Sequence, residues 1–320
     1  MPDARDDNQK GSKLQGYASF LGFGFLKLLP PRAALGLMGF IMERLGPRMK
    51  RTRRMRDTLK IAFPELSSAQ IEARVRSIWR NFGETIATIP HLGNFMQGAR
   101  GAKMHYRGLE NLSEMLSKTG IVCGAHVGNW EVSAVTPHDH RVPFVVSYNA
   151  EADAITEALI AKNRMATGCE LVIKEQIPRK AALALRDKKI MYFTIDQRVE
   201  PGDEISFLGL PALATRFPAR LAVKYNVPMM VVEAIRLGLA EYEVVYHKLL
   251  YPDPEIADPE ARSHDLMLRL YEGIENIVKS RPDEWFCLKK RWSGREAKAI
   301  RNDRAGAEAR AKGLRRANSR

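Results

Sequence analysis

Cysteine is scarce in this chain. Cys123, Cys169 and Cys287 are the only three in 320 residues, too few and too scattered for a disulfide framework or a cysteine-based zinc site. A reducing compartment is the simplest expectation. No glycine-rich phosphate loop, no G-x-S-x-G elbow and no cluster of metal ligands is present, so neither a metal nor a bound cofactor is expected. His138 and His140 flank Asp139, and a polar loop between strands explains them better than a metal site. Internal repeats are absent. So is any apolar run of the ~18–20 residues that a transmembrane helix needs. The longest such stretches, residues 14–29 and 33–42, are separated by Pro30-Pro31-Arg32. Asp3, Asp6 and Asp7 dilute the start of the chain, and no small-residue cleavage site follows, so a signal peptide is not expected either.

What is present is the mixture of a globular chain, 45% apolar and 28% charged, long enough for one large or two ordinary domains. The net charge is +14 and unevenly placed. Residues 48–60 hold seven basic side chains against one acid, and residues 295–320 hold nine against three. The rest of the chain is nearly neutral. Two basic patches on a neutral body imply a polyanionic partner touched locally, whether nucleic acid, acidic lipid or an acidic carrier protein. Nucleic acid leaves the two apolar N-terminal segments unexplained, and none of the usual recognition motifs is evident. Two short apolar helices bent at the proline pair and followed by a basic run read as an interfacial membrane anchor, its basic side chains on an anionic surface. The alternative is a core helical hairpin followed by a solvated basic helix.

From residue 68 the apolar positions Ile71, Val75, Ile78, Phe82, Ile86 and Ile89 recur at helical spacing, with Ser68 as a candidate N-cap and Pro90 as the stop. Beyond it, short apolar runs predict strands at 121–125, 143–148, 170–173, 190–195, 228–235 and 242–249. Helical patterns fall at 109–117, 152–166, 179–186 and 212–225. That alternation predicts an α/β fold, a sheet covered by helices. Met267, Leu270, Ile274 and Ile277 mark a last amphipathic helix. Residues 1–13 and 294–320 read as unstructured, the latter for want of an apolar face.

One segment carries chemistry. His126-Val127-Gly128-Asn129-Trp130-Glu131 follows the strand at 121–125, which places His126 at a carboxyl end, where open α/β sheets keep their sites. Glu131 is expected in the opening turn of the next helix, orienting the imidazole as a general base for a hydroxyl nucleophile. Spacing alone is weak, since seven histidines and 37 acids in 320 residues give about one such pair by chance. Indeed His105 and Glu110 share the spacing, but they lie upstream of the first clear strand. Gly128 and Asn129 permit a tight turn whose backbone N–H groups are placed to meet a carbonyl oxygen.

The eight residues from Gly124 to Glu131 resemble the signature of the bacterial lipid A biosynthesis acyltransferases, the lauroyl/myristoyl transferase family. Asn163-Arg164 with Gly168, Asp196-Gln197, and Phe207-Leu208-Gly209-Leu210-Pro211-Ala212 with Thr215 are similar to further family segments. So are Phe63-Pro64-Glu65, Trp285 and Arg291-Trp292. Together they run in family order over residues 15–293. Thr58 and Leu208 depart from the family pattern, where Asn and Phe are usual. The resemblance implies a glycerolipid-acyltransferase-like α/β domain at 61–293 behind a membrane-associating segment at 14–60. It implies acyl transfer from acyl carrier protein, a donor substrate and not a cofactor, to a hydroxyl of a lipid A precursor on the cytoplasmic face of the inner membrane. His126 and Glu131 would then be the catalytic pair, with Gly128, Asn129, Arg164, Asp196 and Gln197 binding substrate. Arg164 would stabilise an oxyanion or grip an acceptor phosphate, and Lys289, Lys290 and Arg291 would meet a phosphate or the carrier. A family member acting on another membrane glycolipid or phospholipid is the alternative.

Overall fold

The computed structural model describes residues 4–136, 144–150, 153–289 and 291–300, with side chains from residue 16 onward. In chain order the elements are α1 (Ala4–Leu28), α2 (Pro31–Leu45), α3 (Thr52–Ala62), α4 (Ser68–Thr88), α5 (Leu92–Gln97), β1 (Lys103–Arg107), α6 (Leu109–Lys118), β2 (Gly120–Gly124) and β3 (Phe144–Tyr148). They continue with α7 (Ala154–Met165), β4 (Glu170–Ile173), α8 (Ile177–Arg186), β5 (Ile190–Thr194), β6 (Asp203–Phe207), β7 (Leu210–Ala214), α9 (Phe217–Tyr225), β8 (Met229–Gly238), β9 (Glu241–Tyr246) and α10 (Pro259–Ser280). Seven strands form one sheet in the order β1-β9-β8-β2-β5-β3-β4. All its pairings are parallel except β8 with β9. The α/β expectation holds, and the sheet is mixed.

Strand pleating explains how helices cover both faces. Successive side chains of a strand point to opposite sides, so Ile121 and Cys123 of β2 and Met191 and Phe193 of β5 enter one core. There they meet Ile71 and Val75 of α4, Ala181 of α8 and Leu270 and Ile274 of α10. Val122, Ile190 and Tyr192 enter a second core under Leu112 and Met115 of α6. A third cluster joins Leu26 of α1, Ala34 and Leu35 of α2 and Phe95 of α5 to Val132, Val135 and Tyr242.

Four local readings are revised. Ser67, not Ser68, caps α4: its hydroxyl accepts from the Gln70 N–H while the Gln70 side chain accepts from the Ser67 N–H, a reciprocal capping box. The helix expected over 212–225 begins only at Phe217, because Leu208 and Gly209 take positive φ (54° and 72°) and close a two-residue hairpin between β6 and β7. The Leu208 N–H donates to Glu275 at 2.9 Å, holding that turn. Residues 294–300, read as part of an unstructured tail, are helical. Ser293 accepts from the Glu296 N–H, Arg198 pairs with Glu296 at 2.6 Å, and Ala297 and Ile300 reach the core from one helix face; residues 301–320 lie outside the described part. Helix α1 starts at Ala4, so residues 4–13, also read as unstructured, continue it; extending a helix costs far less than nucleating one. His138 and His140 lie outside the described residues.

The N-terminal segment is half packed. The carbonyls ending α1 accept from His91 and Arg100 (2.8–3.0 Å), which satisfies groups a helix end leaves free. Yet Tyr17, Phe20, Leu21, Phe25 and Leu28 of α1 and Leu37, Phe40 and Leu45 of α2 are exposed. Among the described residues no helix is long and apolar enough to cross a membrane. Helix α2 lies against α4 so closely that a Cβ at Gly83 would meet the Met38 carbonyl oxygen at 2.3 Å. Gly83→Ala should therefore destabilise the protein by ~1–3 kcal/mol through overpacking. Gly22→Ala, whose Cβ meets nothing within 4 Å, should stabilise α1 by ~0.5–1 kcal/mol. Denaturant unfolding of the two variants checks this; equal stabilities would refute the close α2–α4 contact.

Candidate active site

The site is assembled by the register of two neighbouring parallel strands. Gly124 of β2 pairs with Thr194 of β5, and the Ile195 N–H extends the ladder to the Gly124 carbonyl at 3.1 Å. Two residues beyond the matched positions come His126 and Asp196, which therefore leave the sheet side by side. His126 Nδ1 and Asp196 Oδ1 are 2.6 Å apart. The other carboxylate oxygen of Asp196 accepts from Trp285 Nε1 at 3.0 Å, so both oxygens are engaged in a fully buried setting. Burial pushes the Asp196 carboxyl upward, but the adjoining imidazole and the Trp285 N–H outweigh it and hold the group below the usual carboxylate range. An ionised Asp196 makes Nδ1 the donor and leaves Nε2 as the basic nitrogen.

Around this pair the polypeptide is clamped. The Phe286 N–H donates to the His126 carbonyl at 2.7 Å. Trp130 meets the imidazole edge-on, centroids 5.2 Å apart, and stacks in turn on Phe286. From α4, Asn81 Nδ2 donates to the Gly128 carbonyl at 2.8 Å. Asn81 and Glu84 both hold the half-buried Arg236. Gly128 has φ of 64°, and a Cβ there would lie 2.3 Å from the Ala234 carbonyl oxygen, so only glycine fits this approach.

The predicted residues divide. His126 stands where β2 ends. Glu131 does not orient it: residues 125–136 form turns rather than a helix, and the carboxylate of Glu131 is taken by Arg164 of α7 through two hydrogen bonds, 2.9 and 2.7 Å. Asp196, expected to bind substrate, holds the imidazole instead. Gln197 places its amide 3.4 Å from the same ring. Asn129 is buried, donating to Thr88 at 2.8 Å and accepting from the Glu131 N–H. It and Gly128 shape the turn and do not line the cavities beside His126. The second spacing match separates as well, since His105 lies on β1 and bonds Glu241 of β9 at 3.0 Å. Glu84 of α4 is buried. Arg291 is buried over the Phe207 ring, donating to the Leu213 carbonyl, so it cannot meet a carrier; Lys290 lies outside the described residues. Lys289, expected to meet a phosphate or the carrier, lines both cavities beside His126. Trp285 and Tyr148 were missed as site residues. Only the family-like position of Trp285 hinted at one of them.

Two cavities open on His126. They share the wall formed by His126, Ser147, Tyr148, Asn149, Thr194 and Lys289. The first, about 380 Å³, continues between Ile177, Pro178, Phe193, Phe217 and Pro218. The second, about 260 Å³, holds the Glu131–Arg164 pair and Trp130. Among the described residues no hydroxyl or thiol hydrogen-bonds the imidazole. The three cysteines are buried, and burial pushes their thiols up, which suppresses thiolate chemistry. The arrangement suits a base that activates an incoming hydroxyl rather than a protein nucleophile.

No curated protein matches the chain. Among solved structures it is similar to the 1-acyl-sn-glycerophosphate (LPA) acyltransferase PlsC from Thermotoga maritima, at 17% identity and a TM-score of 0.36, covering 73% of this chain and 100% of that one. The model of a family described as bacterial lipid A biosynthesis acyltransferase matches residues 7–293. That match takes in α1 from residue 7, the whole sheet and every residue that surrounds His126, and the chain belongs to this family of acyltransferases.

Proposed function

We propose that this protein moves a fatty acyl chain from the thioester of acyl carrier protein to a hydroxyl of a lipid A precursor, on the cytoplasmic face of the inner membrane. The observation that carries the reading is the His126–Asp196 pair opening on two cavities of different character. The first cavity, with its apolar wall of Ile177, Pro178, Phe193, Phe217 and Pro218, suits the acyl chain, and the second, with its Glu131–Arg164 pair, suits a polar acceptor. His126 Nε2 takes the acceptor proton as that oxygen attacks the thioester carbonyl. Asp196 stabilises the imidazolium that forms. Collapse of the tetrahedral species breaks the C–S bond, and the proton passes from His126 to the departing sulfur. A C–O bond is gained and a carrier thiol released, with no covalent enzyme intermediate. The Gln197 amide, beside the imidazole, is the donor best placed for the oxyanion. Arg164, fixed by Glu131, is an element of the acceptor wall. The same chemistry would serve another membrane glycolipid or phospholipid, and acceptor identity separates the two.

The exposed aromatic and leucine side chains of α1 and α2 support a chain that lies in the membrane interface, where such an apolar surface is stable. Because α2 is packed on α4, removing the segment would also strip the body of its cover; substitution is the cleaner probe.

Two outcomes are expected. In a mass-spectrometric assay with an acyl-carrier thioester and an underacylated lipid A precursor, wild type should add one acyl chain. His126→Ala and Asp196→Asn should each lower kcat by ~10²–10⁴-fold, with the double variant little worse than either. Wild-type turnover in folded Asp196→Asn, with activity lost in Glu131→Gln, would return the orienting role to Glu131. No gain on lipid A precursor, but a gain on another lipid hydroxyl, would move the acceptor and leave the base. Replacing Phe20, Leu21, Phe25 and Phe40 by Ser should weaken vesicle binding at high salt by at least about tenfold without lowering the melting temperature. Unchanged pelleting would refute the interfacial reading.

A further inference from the structure

A third cavity lies away from the catalytic chambers and shares no lining residue with either. It measures about 450 Å³ and is walled by Glu43, Arg44, Pro47, Arg48, Arg56 and Arg76, where the end of α2 meets α3 and α4. Four guanidinium groups around one space favour an anion between them. Two local carboxylates do not fill that role. Glu72 is chelated by Arg56 at 2.5 and 2.9 Å, and Glu43 pairs with Arg80 outside the cavity at 3.2 Å. Arg56 is further tied to the Pro47 carbonyl at 2.9 Å, so it is structural. Arg44, Arg48 and Arg76 are exposed. The Glu72 carboxyl is held low by Arg56 first and by Arg76 as well, but among the described residues none of the three arginines forms an ion pair with a carboxylate. Arg48 spends one N–H on the Arg44 carbonyl, and Arg44 lies 3.4 Å over the Phe40 ring. Arg44 also donates to the Phe40 carbonyl at 3.3 Å, and Arg44, Arg48 and Arg76 all line the cavity.

The cation–π contact joins this basic cavity to the apolar surface, because Phe40 and Leu45 beside Arg44 are themselves exposed. An anion seated among the three arginines would carry its apolar portion directly onto that surface. We propose that this cavity binds the phosphate of an anionic membrane phospholipid, whose chains lie along the exposed face of α2. Guanidinium groups suit a phosphate through paired, charge-assisted hydrogen bonds. The apolar rim favours a lipid phosphate over free phosphate. A concave seat for one charge favours it over the broad acidic face of a carrier protein. The assignment rests on the interfacial reading of α1 and α2 given above and adds to it a defined headgroup site.

The test compares two triple variants with the same loss of charge. Arg44→Gln, Arg48→Gln and Arg76→Gln empty the cavity. Arg51→Gln, Arg53→Gln and Arg54→Gln remove exposed charges on and beside α3. Circular dichroism melts confirm that both fold, with the single variants as substitutes if the first triple does not. Co-sedimentation is measured with phosphatidylcholine vesicles and with the same vesicles containing phosphatidylglycerol. Wild type should prefer the anionic vesicles. The cavity triple should lose about a hundredfold in that preference, and the surface triple at least tenfold less. Equal losses would reduce the effect to diffuse attraction and overturn the site. Wild type that binds both vesicles alike would overturn the site but keep the interfacial reading; wild type that binds neither would overturn both. Two further arms identify the occupant. Saturable calorimetric binding of inorganic phosphate, lost in the cavity triple, would assign the space to free phosphate instead. Loss of acyl carrier protein binding in that triple would assign it to the carrier.

Discussion

One strand register governs the chemistry of this molecule. Because β2 and β5 are parallel and matched from Gly120 with Ile190 to Gly124 with Thr194, the residues two steps beyond each strand emerge at the same height. A slip of one residue would turn every side chain to the opposite face and separate His126 from Asp196. The register is in turn fixed by burial on both faces, with Cys123 and Phe193 in one core and Val122 and Tyr192 in the other. The His126–Asp196 pair is therefore a consequence of the sheet, and the loops that follow refine it.

The refinement is done by polar contacts in dry surroundings. Asp196 is buried with a negative charge, which costs several kcal/mol unless compensated; the imidazole and the Trp285 indole supply the compensation. The turn carrying Gly128, Asn129 and Trp130 is held by Asn81 and Thr88 from α4, and α4 is positioned by α2. The N-terminal segment thus serves two ends at once. Its inner face braces the helix that clamps the turn after His126, and its outer face presents aromatic and leucine side chains with a basic cavity at the edge. The exposed apolar surface and the support of the turn after His126 share one helical layer.

Basic residues also sort by environment. Arg56, Arg216, Arg236 and Arg281 are committed to carboxylates within the protein, and Arg291 is sealed beneath Phe207. The positive charge open to a partner comes from exposed side chains, among them Arg44, Arg48, Arg51, Arg53, Arg54, Arg76 and Lys289. Net charge reports the class of partner, while pairing decides which side chains meet it.

The sequence by itself determined the elements with strong periodicity. The strands from 121, 170 and 190, the buried stripe of α4 and the last helix follow from apolar spacing, since a half-buried element must repeat with the period of its backbone. His126 was legible for the same reason, being the polar residue that ends a fully apolar run. Its partner was not. Glu131 is five residues away and Asp196 seventy, and short spacing describes a contact only where the chain continues as a helix, which residues 125–136 do not. The hairpin of β6 and β7 was hidden because Leu208 takes a left-handed conformation that its side chain disfavours, supported by Glu275 from a distant helix. Tertiary structure alone decided that Asp196 holds the imidazole, that Glu131 holds Arg164, and that Arg291 is internal. Each depends on groups brought together across the sheet, where the energies of burial and of charge pairing exceed any local preference.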